Sequence, residues 1–399
     1  MSIRILSSEN GNSGLLFVGF NQDYGCFAVG MQNGFRIYNT DPLKQLERCD
    51  FSVRDGTGVG YIEMLFRTSF LGLLGGGHQA RLPPNTACLW DGVEQKFVLE
   101  LSYGSDVRAV RLRRDRIVVV LANAVKVYTF DASPELLYQT ETCPNPLGLC
   151  HICQTPDNPL VVFPGRRLGS VMLVNAAGAC SGGSSTPPTS SATSMPPPRQ
   201  IVAHENPLVA LTLNPDGSLM ATASQRGTLV RIFSTRGLEL LQELRRGTNP
   251  ALITCICFDS TSSRIGVAST HGTVHVFENL SMPPIDTAFS SSSVAAAAAT
   301  STASAALRIR ASAGRQMAQP MIKSGRLLPR YFSSTSSQIR CTPETKFKTI
   351  CAFSPRRSDT LIVLAADGSY YKYNYASNGT VICEESINFL DVFEDENDL

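Results

Sequence analysis

Long apolar runs are missing from this 399-residue chain. No stretch of about 20 strongly apolar residues could span a bilayer. The opening Met1-Ser2-Ile3-Arg4-Ile5-Leu6-Ser7-Ser8-Glu9-Asn10 lacks the apolar core of a signal peptide. A soluble, cytoplasmic protein is expected, with its 12 cysteines reduced. Charge of one sign is missing too. Lys plus Arg number 35 against 33 acids, a net +2, which excludes a chain built to coat nucleic acid or another polyanion. The signatures of catalysis are absent. Leu74-Gly75-Gly76-Gly77-His78 does not end in the Gly-Lys-Ser/Thr of a phosphate-cradling loop, and there is no Gly-x-Ser-x-Gly elbow. Cys150-His151-Ile152-Cys153 has CxxC spacing but no second pair at zinc-ribbon distance. No enzyme, cofactor or metal site is expected.

Helical periodicity is also scarce, and what stands in its place is a recurring triplet of short strands. Leu15–Phe20, Gly25–Gly30 and Gly34–Tyr38 are apolar runs separated by the turn formers Asn21, Asp23 and Asn33. The third strand of such a set, a small-residue turn followed by a β-branched or aromatic run, recurs with ends at Tyr38, Trp90, Tyr128, Val174, Phe233, Phe277 and Tyr373. Two of the intervals are too long, and each contains a low-complexity insert. One is the Ser/Pro-rich tract 178–199 and the other the Ser/Ala-rich tract 278–337. Without them the repeat is about 45 residues, the length of a four-stranded propeller blade. The expected fold is therefore all-β, a single seven-bladed, WD-repeat-like β-propeller over 14–390 with two loop inserts and an acidic tail at 391–399. A pair of β-sandwiches would not explain seven similar third strands.

The first insert is expected to be a disordered loop. The second differs, because Glu278 to Arg340 holds seven Lys/Arg (Arg308, Arg310, Arg315, Lys323, Arg326, Arg330, Arg340) against Glu278 and Asp286. Apolar residues are scattered through it, including Leu327, Leu328, Tyr331 and Phe332. A basic loop with apolar side chains suits an anionic membrane interface; a solvated linker is the plainer alternative.

Histidine is rare, and three of the five (His204, His271, His275) fall around one dipeptide, Arg245-Arg246 in Leu244-Arg245-Arg246-Gly247. The pair closes a strand-like run, so the two side chains should point to opposite faces and serve two neighbouring grooves. Similar turn-and-strand segments lie either side of the pair: Thr222-Ala223-Ser224-Gln225-Arg226-Gly227-Thr228-Leu229-Val230-Arg231, preceded by His204, and Ser269-Thr270-His271-Gly272-Thr273-Val274-His275. Each offers hydroxyl donors, a histidine and a glycine. With one arginine apiece they make two plausible phosphate cups.

These residues resemble the PROPPIN family of phosphoinositide-binding β-propellers, called WIPI proteins in animals, whose hallmark Phe/Leu-Arg-Arg-Gly is met by Leu244–Gly247. The resemblance extends to Gly19-Phe20-Asn21-Gln22-Asp23, to Asn33–Pro42 and to Leu112–Leu121, stretches most similar to the WIPI subgroup typified by WD-repeat protein 45B. It implies binding of phosphatidylinositol 3-phosphate and the 3,5-bisphosphate at two rim sites. The first would use His204, Thr222, Ser224, Gly227, Thr228, Arg231 and Arg245, and the second Arg246, Gly247, Ser269, Thr273 and His275. Thr222 stands where some members carry serine. The second insert falls where the family has a membrane-inserting loop, for which Leu327, Leu328, Tyr331 and Phe332 are candidates; its Ala/Ser-rich composition departs from that pattern. The resemblance further implies a monomer recruited from the cytoplasm to phagophore and endosomal or lysosomal membranes. There it would act in autophagosome formation by recruiting a lipid-transfer protein through Asn21 and Asp23. The competing reading is a WD-repeat scaffold that binds proteins and no lipid.

Overall fold

The computed structural model describes residues 2–5, 14–177, 197–278, 335–336, 339–376 and 379–392. Regular structure among them is strand, apart from two short 3-10 turns at Val53–Asp55 and Phe389–Asp391. The strands form seven sheets, antiparallel but for one short parallel strand on the edge of blade five, and these are the blades of a β-propeller as expected from the repeat. In blade five, for example, Leu208–Leu213, Leu219–Ser224, Leu229–Ser234 and Leu240–Arg245 follow one another from the inside out. The inner strands of adjacent blades pack on one another around the axis. All seven recurrent segments singled out by their turn and closing aromatic or valine are the third strands of their blades.

The local reason is the same throughout. Second strands such as Arg116–Leu121 and Thr360–Ala365 are buried along their whole length, because each face of a blade packs on a neighbouring blade. Outer strands such as Lys96–Ser102 alternate exposed and half-buried positions.

The ring is closed by packing. Each blade takes its strands in chain order, and blade seven (Thr349–Phe353, Thr360–Ala365, Ser369–Tyr375, Val381–Asn388) meets blade one directly. Tyr370 donates to the Thr40 carbonyl at 3.0 Å, and Lys372 reaches Asp41 at 3.0 Å. Phe389 packs edge-on to Phe27, with ring centroids 5.3 Å apart. The short strand Ser2–Arg4, which precedes the first blade-one strand recognised in the sequence, adds to the inner edge of that blade.

Two strands fall inside or at the edge of segments that composition assigns to inserts. Arg199–Val202 is the outer strand of blade four, and Thr335–Ser336 runs parallel to Leu244–Arg245 on the outer edge of blade five. Leu327, Leu328, Tyr331 and Phe332 lie outside the described residues, as do 178–196, 279–334 and 393–399.

Antiparallel order fixes what shares a face. Connections from second to third strand, and from each outer strand to the next blade, emerge on one side of the ring. Connections from first to second strand emerge on the other. Both cups expected from the sequence belong to the first side. Asn21 to Asp23 belong to the second.

Candidate functional site

Arg245 is the last residue of the blade-five outer strand, and alternation divides the pair as the extended backbone requires: Leu244 is fully buried, Arg245 is exposed and Arg246 is turned inward. Arg245 lines a cleft of about 310 Å³ together with His204, Ser224, Thr228 and Arg231, all expected from the sequence. Glu205, Asn206, Arg226, Leu229 and Thr248 complete it. Three arginines face this cleft against one lining carboxylate, so its potential is positive and suits an anion.

Inside the cleft the donors are held by a second layer. Arg231 donates from Nε to Glu243 at 2.7 Å and from Nη1 to the Ala203 carbonyl at 2.6 Å, which leaves Nη2 as the remaining nitrogen of the fork. His204 Nε2 lies 3.0 Å from Thr222 Oγ1. Thr222 is fully buried, so it positions His204 and does not itself reach a ligand. Burial, and next the charge of Arg231, push the His204 pKa down to about 4. The ring is neutral at pH 7 and adds hydrogen bonding without charge.

Gly227 shapes the turn between the second and third strands of blade five. It sits at φ +61°, its N–H closes the turn on the Ser224 carbonyl at 2.9 Å, and an added Cβ would meet the Ala251 carbonyl oxygen at 1.7 Å. Its carbonyl accepts from Arg246 Nε at 2.8 Å. A second bond from Arg246 goes to the Asn249 carbonyl, so this arginine is anchored to the backbone through the turn that Gly227 makes possible.

The second group forms around Arg246 on the blade-six side. Ser269 and Thr273 flank the equivalent turn, in which the Gly272 N–H reaches the Ser269 carbonyl at 3.2 Å with φ +73°. His275 follows on the third strand, Val274–Phe277. Burial, then Arg340 and Arg246, lower its pKa to about 4. Arg340 is the residue that the sequence reading missed as a site member. It was counted within the basic insert, yet it lies on the outer strand Ile339–Cys341 in register with His275. Its neighbours Ile339 and Cys341 are both buried. Two features leave room for a ligand. Among the described residues the Ser269 hydroxyl is buried with no hydrogen-bond partner, and, its chain neighbours aside, nothing lies within 4 Å of where a Gly247 side chain would begin.

Asn21 and Asp23 are brought to the opposite face, at the mouth of an axial funnel of about 370 Å³ also lined by Gln22, Arg111, His151 and Asn214. Asn21 is buried and occupied: Oδ1 accepts from the Cys26 N–H at 3.1 Å and Nδ2 donates to the Phe66 carbonyl at 3.3 Å. Asp23 is exposed and accepts from the Gly25 N–H at 3.0 Å. Cys150 and Cys153 of the CxxC stretch are both buried thiols.

The PROPPIN family model matches residues 14–283. "SVP1-like protein 2" of Pichia angusta is 37% identical over 270 residues, 68% of this chain and 71% of that protein. "Autophagy-related protein 18" of Yarrowia lipolytica is 35% identical over 268 residues, 66% of each chain. Among solved structures, Hsv2 of Kluyveromyces lactis superposes with a TM-score of 0.66 at 21% identity, covering 93% of this chain and 98% of that one. A complex of KlAtg21 with the coiled coil of AgAtg16 gives 0.67 at 20% identity, with 93% and 98% covered. With Leu244-Arg245-Arg246-Gly247 set beside the cationic cleft of a seven-bladed propeller, the chain belongs to the PROPPIN family, the autophagy-related phosphoinositide-binding propellers.

Proposed function

We propose that the chain binds phosphatidylinositol 3-phosphate and phosphatidylinositol 3,5-bisphosphate on phagophore and endosomal or lysosomal membranes, one headgroup in each cup, and brings autophagy machinery there. The observation that carries this reading is the division of one arginine pair: Arg245 opens into the cleft with His204, Ser224, Thr228 and Arg231, while Arg246 is tied back to the Gly227 carbonyl on the side of His275, whose pKa it helps to lower. An inositol phosphate concentrates its negative charge and its strongest acceptors at its phosphates, and both groups of residues present donors. Each charge-assisted bond is worth about 1.5–3 kcal/mol. No catalytic step is assigned. The residues of the second insert, Leu327, Leu328, Tyr331 and Phe332 with their basic neighbours, supply the additional membrane contribution in this reading. Among the described residues no helix is long and apolar enough to cross a membrane.

Recruitment of the lipid-transfer partner is assigned to the funnel face. Asp23 presents its carboxylate there, whereas the Gln22 amide is taken up by the Met64 carbonyl and the Phe66 N–H and Asn21 shapes the turn that carries Asp23. A lipid-loaded rim and a partner-loaded opposite face leave both contacts available to a monomer. The decisive measurement is vesicle flotation with phosphatidylinositol, its 3-phosphate, its 4-phosphate and its 3,5-bisphosphate at matched charge. Flotation should require the 3-phosphate. Equal flotation with the 4-phosphate would sink the reading in favour of a protein-binding scaffold with a generally basic rim.

A further inference from the structure

Two exposed turn tips bracket the cups on the same face of the ring. The first is Arg166-Arg167-Leu168, the connection between the second and third strands of blade four (Leu160–Pro164 and Ser170–Asn175). The second is Lys346-Phe347-Lys348, in the connection from the blade-six outer strand to blade seven. Leu168 is 51% exposed and Phe347 39% exposed; Phe347 is the only aromatic among the large exposed hydrophobics of the described residues.

Both tips are fixed to the cups they flank. Gly169, at φ +74°, accepts from the His204 N–H at 2.9 Å, and an added Cβ there would strike the His204 carbonyl oxygen at 1.9 Å. Ser170 closes the same turn through its hydroxyl on the Arg167 carbonyl at 2.6 Å. At the other tip Thr345 Oγ1 donates to Asp367 at 2.8 Å and accepts from the Phe347 N–H at 3.1 Å. The Thr345 carbonyl lies 3.6 Å from where a Gly272 side chain would begin, which seats the tip against the blade-six turn. A hydrogen-bonded turn presenting one apolar side chain beside cations differs from an ordinary solvated loop, because ordering has already been achieved before any contact is made.

We propose that these tips are membrane anchors, with Leu168 and Phe347 entering the interfacial region of the bilayer and Arg166, Arg167 and Lys346 meeting anionic headgroups. The inference rests on the lipid reading of the cups. One apolar side chain per tip is far below the area of a stable protein interface. It is sufficient for a lipid interface, where apolar burial and surface charge add to specific headgroup binding. The order along the rim is Leu168, first cup, second cup, Phe347, so the two contacts would steady the ring against rocking about the headgroups.

The test uses the full chain carrying Leu168→Trp or Phe347→Trp. The native Trp90 is buried and gives a constant background. With vesicles containing phosphatidylinositol 3-phosphate and brominated acyl chains, the emission of each introduced tryptophan should shift to the blue and be quenched. Soluble inositol 1,3-bisphosphate should cause neither. Leu168→Ser and Phe347→Ser should each weaken vesicle binding roughly ten-fold, as expected for losing one buried apolar side chain, and leave affinity for the soluble headgroup unchanged. Vesicle binding without quenching at either tip, or with undiminished affinity in both serine variants, overturns the proposal while sparing the cups. Failure of the unsubstituted chain to float with these vesicles overturns both.

Discussion

The two cups are built on the same strand positions with different internal charge. In the first, Arg231 on the third strand of blade five stands in register with Glu243 on the outer strand. In the second, His275 stands at the matching position of blade six, two residues before a closing phenylalanine as Arg231 is, and is in register with Arg340. The first cup thus spends part of its cation on an internal ion pair of 2.7 Å, with the Glu243 side chain 9% exposed. The second keeps a neutral histidine and leaves its arginine opposite. The difference extends to the hydroxyls: Thr222 already holds His204, whereas Ser269 has no partner among the described residues. The first cup is preorganised by the protein. The second leaves one buried hydroxyl without a partner among the described residues. Preorganisation lowers the cost of binding, while an unmet buried donor is a stability cost that a ligand relieves.

The largest expected effect divides the arginine pair. Arg245→Ala with Arg246→Ala should abolish flotation with 3-phosphorylated phosphoinositides. The single variants should differ. Arg245 is exposed, so Arg245→Ala should remove one headgroup per chain in calorimetric titration and leave the melting temperature unmoved. Arg246 is tied to the Gly227 and Asn249 carbonyls. Arg246→Ala should remove the other headgroup and also destabilise the chain by about 1–3 kcal/mol, since buried acceptors lose their donor. Two headgroups retained by Arg245→Ala would break the two-cup comparison outright.

A finer contrast follows from the hydroxyls. Thr222→Val leaves His204 without its partner, so it should destabilise the fold by about 1–3 kcal/mol and weaken only the first cup. Ser269→Ala removes an unsatisfied buried hydroxyl. It should leave the unliganded melting temperature unchanged or raised, yet weaken the second cup by about ten-fold, the loss of roughly one hydrogen bond. Thermal melts with and without soluble headgroup read both quantities. Equal destabilisation by the two changes would mean that the second cup is as preorganised as the first.

Much of this could be read in the chain because propeller blades repeat. The third strands announced themselves through Gly34-Phe35-Arg36-Ile37-Tyr38 and its counterparts, in which turn chemistry and β-branched or aromatic runs are local properties. The division of Arg245 from Arg246 also followed from local alternation. Arg340 did not, because its strand, Ile339–Cys341, is too short to show a pattern and follows directly on a low-complexity tract. Asn21 was legible as a turn former, but its bond to Phe66 crosses to the next blade and has no signal in neighbouring residues. Ring closure was equally hidden: Tyr370 meeting Thr40 and Lys372 meeting Asp41 join the two ends of the ring, and nothing in either segment names the other.

The smallest effect lies in the two depressed histidines. An ordinary histidine titrates near 6.5, and His204 and His275 are each pushed down to about 4. The unfolded chain therefore binds protons that the folded chain refuses between these values. The stability each ring contributes is complete above pH 6.5 and is lost as the pH falls toward 4, by at most about 3 kcal/mol per ring. A bound phosphate adds negative charge beside each ring and favours its protonated form, so soluble headgroup should slow the fall in melting temperature between pH 7 and 5. The causes separate the cups. Burial comes first for both rings, followed by Arg231 for His204 and by Arg340 for His275. Arg340→Gln should then raise the midpoint of His275 part of the way toward 6.5 and leave His204 where it was. The ring resonances of the five histidines can be followed individually by NMR. Movement of both midpoints in that one variant would show that the cups share a single electrostatic field, and the contrast between a closed first cup and an open second one would fall.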